Sequence, residues 1–202
     1  MTRKNGTRKA RRLPEILTEE ERKALLAQPN KRCPTGLRNL CMMALMVNAG
    51  LRVAEVINLK VNDINWNTGK LMVREGKGKK DRALWLNEDD LALLGKWREK
   101  RTIQAESLFT TLKGDVLDDR YIWAMVKREA QAAGVVKDIH PHTLRHTFAS
   151  DIYRETKNIR LTQKALGHSD LSTTMIYTHI IDDELEDAMK GFRRASVGQV
   201  SC

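Results

Sequence analysis

The sequence predicts an α+β domain, mainly α, in which helices surround a small antiparallel three-stranded sheet. Two observations carry that reading. Apolar residues recur at helical spacing over most of the 202 residues, and between Val61 and Leu86 the pattern changes to short extended runs broken by turn signals. A third observation, the gathering of all five histidines between His140 and His179, points to a site in that stretch.

In chain order, residues 1 to 12 carry six Lys or Arg and almost nothing to bury, so residues 1 to 14 read as a basic disordered arm, either touching DNA phosphates or merely solvated. Thr18 followed by Glu21 has capping-box spacing and opens a helix through about Ala27. A turn at Pro34 to Gly36 precedes Leu37 to Val47, apolar enough for a buried helix that delivers Arg52. Just past Gly50, Val53, Val56 and Ile57 face the core. Arg52 and Glu55 have the spacing of a salt bridge on a solvated surface.

The three strands are Val61 to Asn65, Leu71 to Val73 and Ala83 to Leu86. The first two are separated by the turn signal Asn67-Thr68-Gly69, and the third is reached across Gly76-Lys77-Gly78-Lys79. Lys77 stands at the tip of that hairpin among other cations, Arg74, Lys79, Lys80 and Arg82, and reads either as a reaching side chain or as an ordinary charged turn. Residues 88 to 134 are helical, with Leu91, Leu94 and Trp97 on one core face and Leu117, Tyr121, Ile122, Met125 and Val126 on another, joined by a loop from Phe109 to Gly114. Arg120, Lys127 and Arg128 read as solvated charges or as part of a phosphate-facing surface.

Pro141 suits the first turn of a helix whose stripe is Leu144, Phe148 and Ile152, while His142, Arg145, His146 and Ala149 share a second face. A helix from Leu161 to Leu166 stops at Gly167, and His168 follows at once. Tyr177 comes on the next segment. From Ile181 to Phe192 a last helix carries an apolar side that needs a partner, on its own domain or a neighbouring one, and residues 194 to 202 form a flexible tail.

Bulk properties narrow the function. A net charge of +10 suggests a polyanionic partner, most simply nucleic acid. Cys33, Cys41 and Cys202 have no C-x-x-C spacing, which argues against a disulfide framework or a zinc site and for a reducing cytoplasm. No apolar run reaches the roughly 18 residues of a membrane span, and no signal segment follows the basic N-terminus. A guanidinium matches two phosphate oxygens, an imidazole moves a proton near neutral pH, and a phenol can act as a nucleophile. Arg145, the histidines and Tyr177 therefore suit phosphoryl transfer through a covalent phosphotyrosine. Asp151 and Asp170 make no metal-ligand spacing with the histidines.

Five segments in register resemble the tyrosine recombinase family of phage-integrase and Xer type. They are Asn48 to Glu55, Gly76-Lys77-Gly78, His142-Thr143-Leu144-Arg145-His146, Leu166-Gly167-His168 and Ile176-Tyr177-Thr178-His179. The resemblance implies the DNA breaking-rejoining fold over a catalytic domain of residues 15 to 193. It implies a site-specific recombinase or integrase that cleaves and rejoins DNA through a 3′-phosphotyrosyl intermediate with no cofactor, metal or ATP. By the same resemblance Arg52 and Arg145 clamp the phosphate, Tyr177 is the nucleophile, Lys77 the general acid, His142 a proton carrier and His168 a phosphate donor. Glu55 orients the cations around it.

The implied partners are double-stranded DNA and other copies of the chain, a tetramer in the synapse that exchanges the helix around Ile181 to Phe192; the implied location is the cytoplasmic nucleoid. Many family members carry a further DNA-binding domain ahead of the catalytic one. Here the first helix is preceded only by the basic arm, so the chain reads as a naturally minimal enzyme or as part of a longer one, with weak, salt-dependent DNA affinity. A type IB topoisomerase-like activity, a non-enzymatic DNA-binding protein, and a metal enzyme built on His142 and His146 are the alternatives. The last lacks the Glu of a zincin helix. His140, His146 and His179 are given no essential role.

Overall fold

The computed structural model describes residues 14–74 and 81–167, together with Met189. The basic arm, the segment holding Lys77, and the stretch with His168, Tyr177 and the last helix fall outside the described residues.

Helix α1 (Glu19–Ala27) opens on the expected capping box: Thr18 Oγ accepts from the Glu21 amide at 3.2 Å, and Glu21 accepts from the Thr18 amide at 2.8 Å. Helix α2 (Pro34–Asn48) starts earlier than the sequence suggested. The Pro34 to Gly36 turn is its first turn, with Pro34 in a position that needs no N–H and Cys33 Sγ accepting from the Gly36 amide at 3.3 Å. Its residues from Gly36 to Val47 are all buried, as a helix wrapped by others must be, and it packs against α1, α4 and α6. Met42, Met43, Leu45 and Met46 are fully buried there, each contributing about 1.5–3 kcal/mol. Arg38 and Asn39 are buried too. Arg38 donates to the Thr110 carbonyl and to Tyr121 Oη, both at 2.7 Å, and Tyr121 donates to Asn39 at 3.0 Å.

The chain leaves α2 through Gly50 and enters the short α3 (Val53–Ile57). Gly50 has φ +65°, and a Cβ placed on it would lie 2.2 Å from the Phe148 ring of α6. Gly50→Ala therefore combines left-handed strain with overpacking, an expected loss of about 2–4 kcal/mol that urea unfolding would read directly. An unchanged midpoint would contradict this close approach.

The sheet is smaller than expected. Strands β1 (Lys70–Val73) and β2 (Arg82–Trp85) pair antiparallel, Lys70 opposite Trp85 and Val73 opposite Arg82. Among the described residues the first expected run, Val61 to Asn65, contributes only an isolated bridge, Ile64 to Leu71, because Val61–Asp63 folds into a 3-10 turn. The cause is Asp63, whose carboxylate accepts from the Lys60 amide at 3.0 Å and from Arg74 at 2.6 Å, giving the backbone an alternative to the ladder. On β1 Leu71 and Val73 are buried, and on β2 Arg82 and Leu84 alternate inward with them. An arginine thus occupies a core-facing strand position.

Helices α4 (Glu88–Lys100) and α5 (Asp119–Ala132) bury Leu94 and Trp97, and Ile122, Met125, Val126 and Ala130. Helix α6 (Pro141–Thr156) is capped by His140, whose Nδ1 accepts from the Thr143 amide at 3.3 Å. Of its expected stripe only Leu144 is fully buried; Phe148 and Ile152 are half-buried, and the deeper line runs through Arg145, Ala149 and Tyr153. Helix α7 (Ile159–Leu166) begins two residues before the expected start and ends, as expected, on Gly167 in the left-handed region. No helix among the described residues is long and apolar enough to cross a membrane.

Candidate active site

Arg52 sits at the cap position of α3, in extended backbone, where the end of α2 places it. Its Nη1 meets Glu55 Oε1 at 2.6 Å, and its amide donates to Glu55 Oε2 at 2.8 Å. The salt bridge offered by the sequence therefore exists, yet it is no solvated surface pair, since the Glu55 side chain is only 8% exposed. Arg145, on the inner face of α6, reaches the same carboxylate with Nη1 at 3.8 Å and donates to the carbonyls of Gly50 and Leu166. The two arginines expected to act together thus converge across 93 residues of sequence on one acid.

A third guanidinium joins them. Arg82 of β2 forms a fork on Glu55, Nη1 to Oε1 at 2.9 Å and Nη2 to Oε2 at 2.8 Å. Its Nε donates to the Ala165 carbonyl at 2.9 Å. The end of α7 explains why all three cations settle here. Its last carbonyls have no partner within the helix and sit at the negative end of its dipole. Ala165 accepts from Arg82, Leu166 from Arg145, and Gly167 stands 3.5 Å from Arg52 Nη2.

Burial would raise the Glu55 carboxyl, but the Arg82 hydrogen bonds and charge, the Arg52 amide and the charge of Arg145 outweigh it and hold the group at about 2. His142 lies exposed in the first turn of α6. Its ring meets the Trp123 ring edge-on, centroids 5.5 Å apart, and the His140 ring at 6.1 Å. Partial desolvation of the ring lowers its pKa, and the charges of His140, Arg145 and Arg52 act in the same direction. His146, half-buried behind it, is lowered to about 4, first by burial and then by His142, Arg145 and His140.

Of the residues singled out in the sequence, Arg52, Glu55 and Arg145 are therefore brought together, and His142 stands one turn before Arg145 on α6. Lys77, His168 and Tyr177 lie outside the described residues. Lys77 belongs to the connection between β1 and β2, and His168 follows Gly167 directly in the chain. Two residues escaped the sequence reading. Arg82 was hidden among neighbouring cations; its signal was the strand alternation that sets it beside Leu84. Trp123 was passed over because it is off the core face of α5, and a large aromatic left 39% exposed against two histidine rings is the corresponding signal.

Among the described residues this fold is mainly helical with a two-stranded sheet, and solved tyrosine recombinases share it. The chain belongs to the phage integrase family, whose family model matches residues 15–184. Tyrosine recombinase XerD of Ralstonia nicotianae is 39% identical over 186 residues, covering 86% of this chain and 58% of the relative. The crystal structure of XerA recombinase superimposes with a TM-score of 0.77 at 32% identity over 91% of this chain and 66% of that one. XerH site-specific recombinase, bound to its palindromic difH substrate in a post-cleavage complex, gives the same TM-score and identity over 90% of this chain and 54% of that one. The chain spans about 60% of the length of the XerD relatives it matches.

Proposed function

We propose that this chain is the catalytic part of a site-specific DNA recombinase or integrase, cleaving and rejoining strands through a 3′-phosphotyrosyl intermediate without metal or ATP. The observation that carries the reading is the convergence of Arg52 and Arg145 on Glu55, with the exposed His142 one turn of α6 before Arg145. Family membership, the net charge of +10 and the DNA complex of the XerH relative support DNA as the substrate.

Arg52 and Arg145 hold the non-bridging oxygens of the scissile phosphate and stabilise the charge that grows on them, roughly 3–4 kcal/mol per well-placed donor. The Tyr177 oxygen attacks phosphorus in line, its proton passing to His142 or to water. The bond from phosphorus to the 5′-oxygen breaks, and Lys77 gives that oxygen a proton. His168 donates to a phosphate oxygen. One phosphodiester has been exchanged for another, so a 5′-hydroxyl from a second strand reverses the step with no external energy source. Strand exchange needs further copies of the chain, for which the apolar side of residues 181 to 192 is the proposed contact, in a tetramer on DNA in the cytoplasmic nucleoid. Residues 15 to 193 form the catalytic domain, with the basic arm adding phosphate contacts.

A nicked duplex that loses its short 5′-hydroxyl fragment on cleavage tests this. Wild-type protein is expected to shift to a DNA-linked band in denaturing gels, and Tyr177→Phe to bind the same duplex and give no such band. An adduct with Tyr177→Phe would remove the nucleophile assignment. No wild-type adduct on any of several candidate sites would favour a DNA-binding role without cleavage.

A further inference from the structure

We propose that Arg82 is a positioning residue for cleavage: its fork on Glu55 neutralises the carboxylate that orients Arg52, so that Arg52 and Arg145 keep their full charge for the phosphate. The proposal rests on the recombinase reading of the site and adds to it a residue that touches no substrate. The Arg82 side chain is 6% exposed and its Nε, Nη1 and Nη2 all donate within the protein, two of the three to Glu55.

Glu55 creates the need. Its carboxylate fixes Arg52 by accepting from both the backbone amide and Nη1. The same negative charge, 3.8 Å from Arg145, would cancel much of the positive field at the phosphate if nothing opposed it. With Arg82 in place, three guanidiniums and one carboxylate leave a net charge of about +2. That matches a phosphorane formed from a phosphodiester and a phenolate, which gathers two negative charges on its oxygens. Without Arg82 the cluster falls to about +1, and the freed oxygens of Glu55 compete with DNA for Arg52 and Arg145.

This charge balance predicts an order that a purely structural role does not. On the nicked duplex, Arg82→Met is expected to slow adduct formation by roughly 10²-fold, the cost of losing about one transition-state donor. Adding Glu55→Gln to it restores the net charge while the amide oxygen still accepts from Arg52, so the double variant is expected to recover at least about tenfold of that loss. Arg82→Lys, which keeps the charge and loses the fork, is expected to stay within about tenfold of wild type. Thermal melts accompany each variant. If Arg82→Met does not fold, the double variant and Arg82→Lys carry the comparison, and a folded double variant or a folded Arg82→Lys more than about 10³-fold slower than wild type overturns the proposal. So does a double variant no faster than a folded Arg82→Met, or an Arg82→Met at the wild-type rate. Wild-type protein that forms no adduct is the failure of the recombinase reading itself and takes this proposal with it.

Discussion

Arg145→Ala is expected to lower adduct formation by at least about 10²–10³-fold in single-turnover cleavage, the range for removing one donor aimed at developing charge. The expected loss lies at the upper end because Arg145 has a structural task beside its proposed contact with the phosphate. It ties the Gly50 carbonyl, which precedes Arg52 by two residues, to the Leu166 carbonyl at the end of α7, and so holds together the two segments that frame the site. Removing it leaves those acceptors short of a donor, at about 1–3 kcal/mol of stability each where they stay dry. Arg145→Lys is not expected to rescue cleavage, since one ammonium cannot reproduce the planar fork whose Nη1 and Nη2 serve the Gly50 and Leu166 carbonyls. DNA affinity should change little, because one phosphate contact among many carries a small share of it. Cleavage within about tenfold of wild type in a folded Arg145→Ala protein would contradict the clamp.

Glu55→Ala is expected to cost about 3–5 kcal/mol in urea unfolding at neutral pH, the penalty for leaving Arg82 buried without its counter-charge. The pair also sets a pH dependence. Because the folded state holds Glu55 at about 2, below its ordinary value of 4.5, the stabilisation is complete above 4.5 and is lost as pH falls from 4.5 towards 2. The span corresponds to roughly 3 kcal/mol. His146, lowered from 6.5 to about 4, acts in an adjoining window: the folded state resists its protonation, so stability falls as pH drops from 6.5 to 4. Glu55→Gln should flatten the acid limb alone, and His146→Gln the limb above it. An unchanged acid limb in Glu55→Gln would show that the buried network is not the acid-sensitive element.

What the sequence made legible was whatever depends on local chemistry. The Thr18 and Glu21 capping box, Pro141 at a helix start and Gly167 at a helix stop each act within one turn of backbone, and all three stand where expected. The expected strand at Val61 to Asn65 did not form because Asp63 settles the same local competition the other way, closing a turn on Lys60 and Arg74. In the site, motif register singled out Arg52, Arg145 and His142, and the structure brings the two arginines onto one carboxylate. Arg82 was not, because its partner lies 27 residues earlier in the chain and nothing local distinguishes a cation that will be buried from its solvated neighbours. Glu55 was read as a cation-orienting acid, which its contacts fit, but the surface salt bridge weighed beside that reading gave no sign of a buried carboxylate shared among three arginines.

The most direct measurement is chemical. The covalent product from the nicked duplex is isolated, digested with nuclease and trypsin, and its modified peptide sequenced by mass spectrometry. A 3′-nucleotide joined through phosphate to Tyr177, in the tryptic peptide that begins after Lys164, is the expected result. A nucleotide on any other residue, or one attached through its 5′-phosphate, would contradict it.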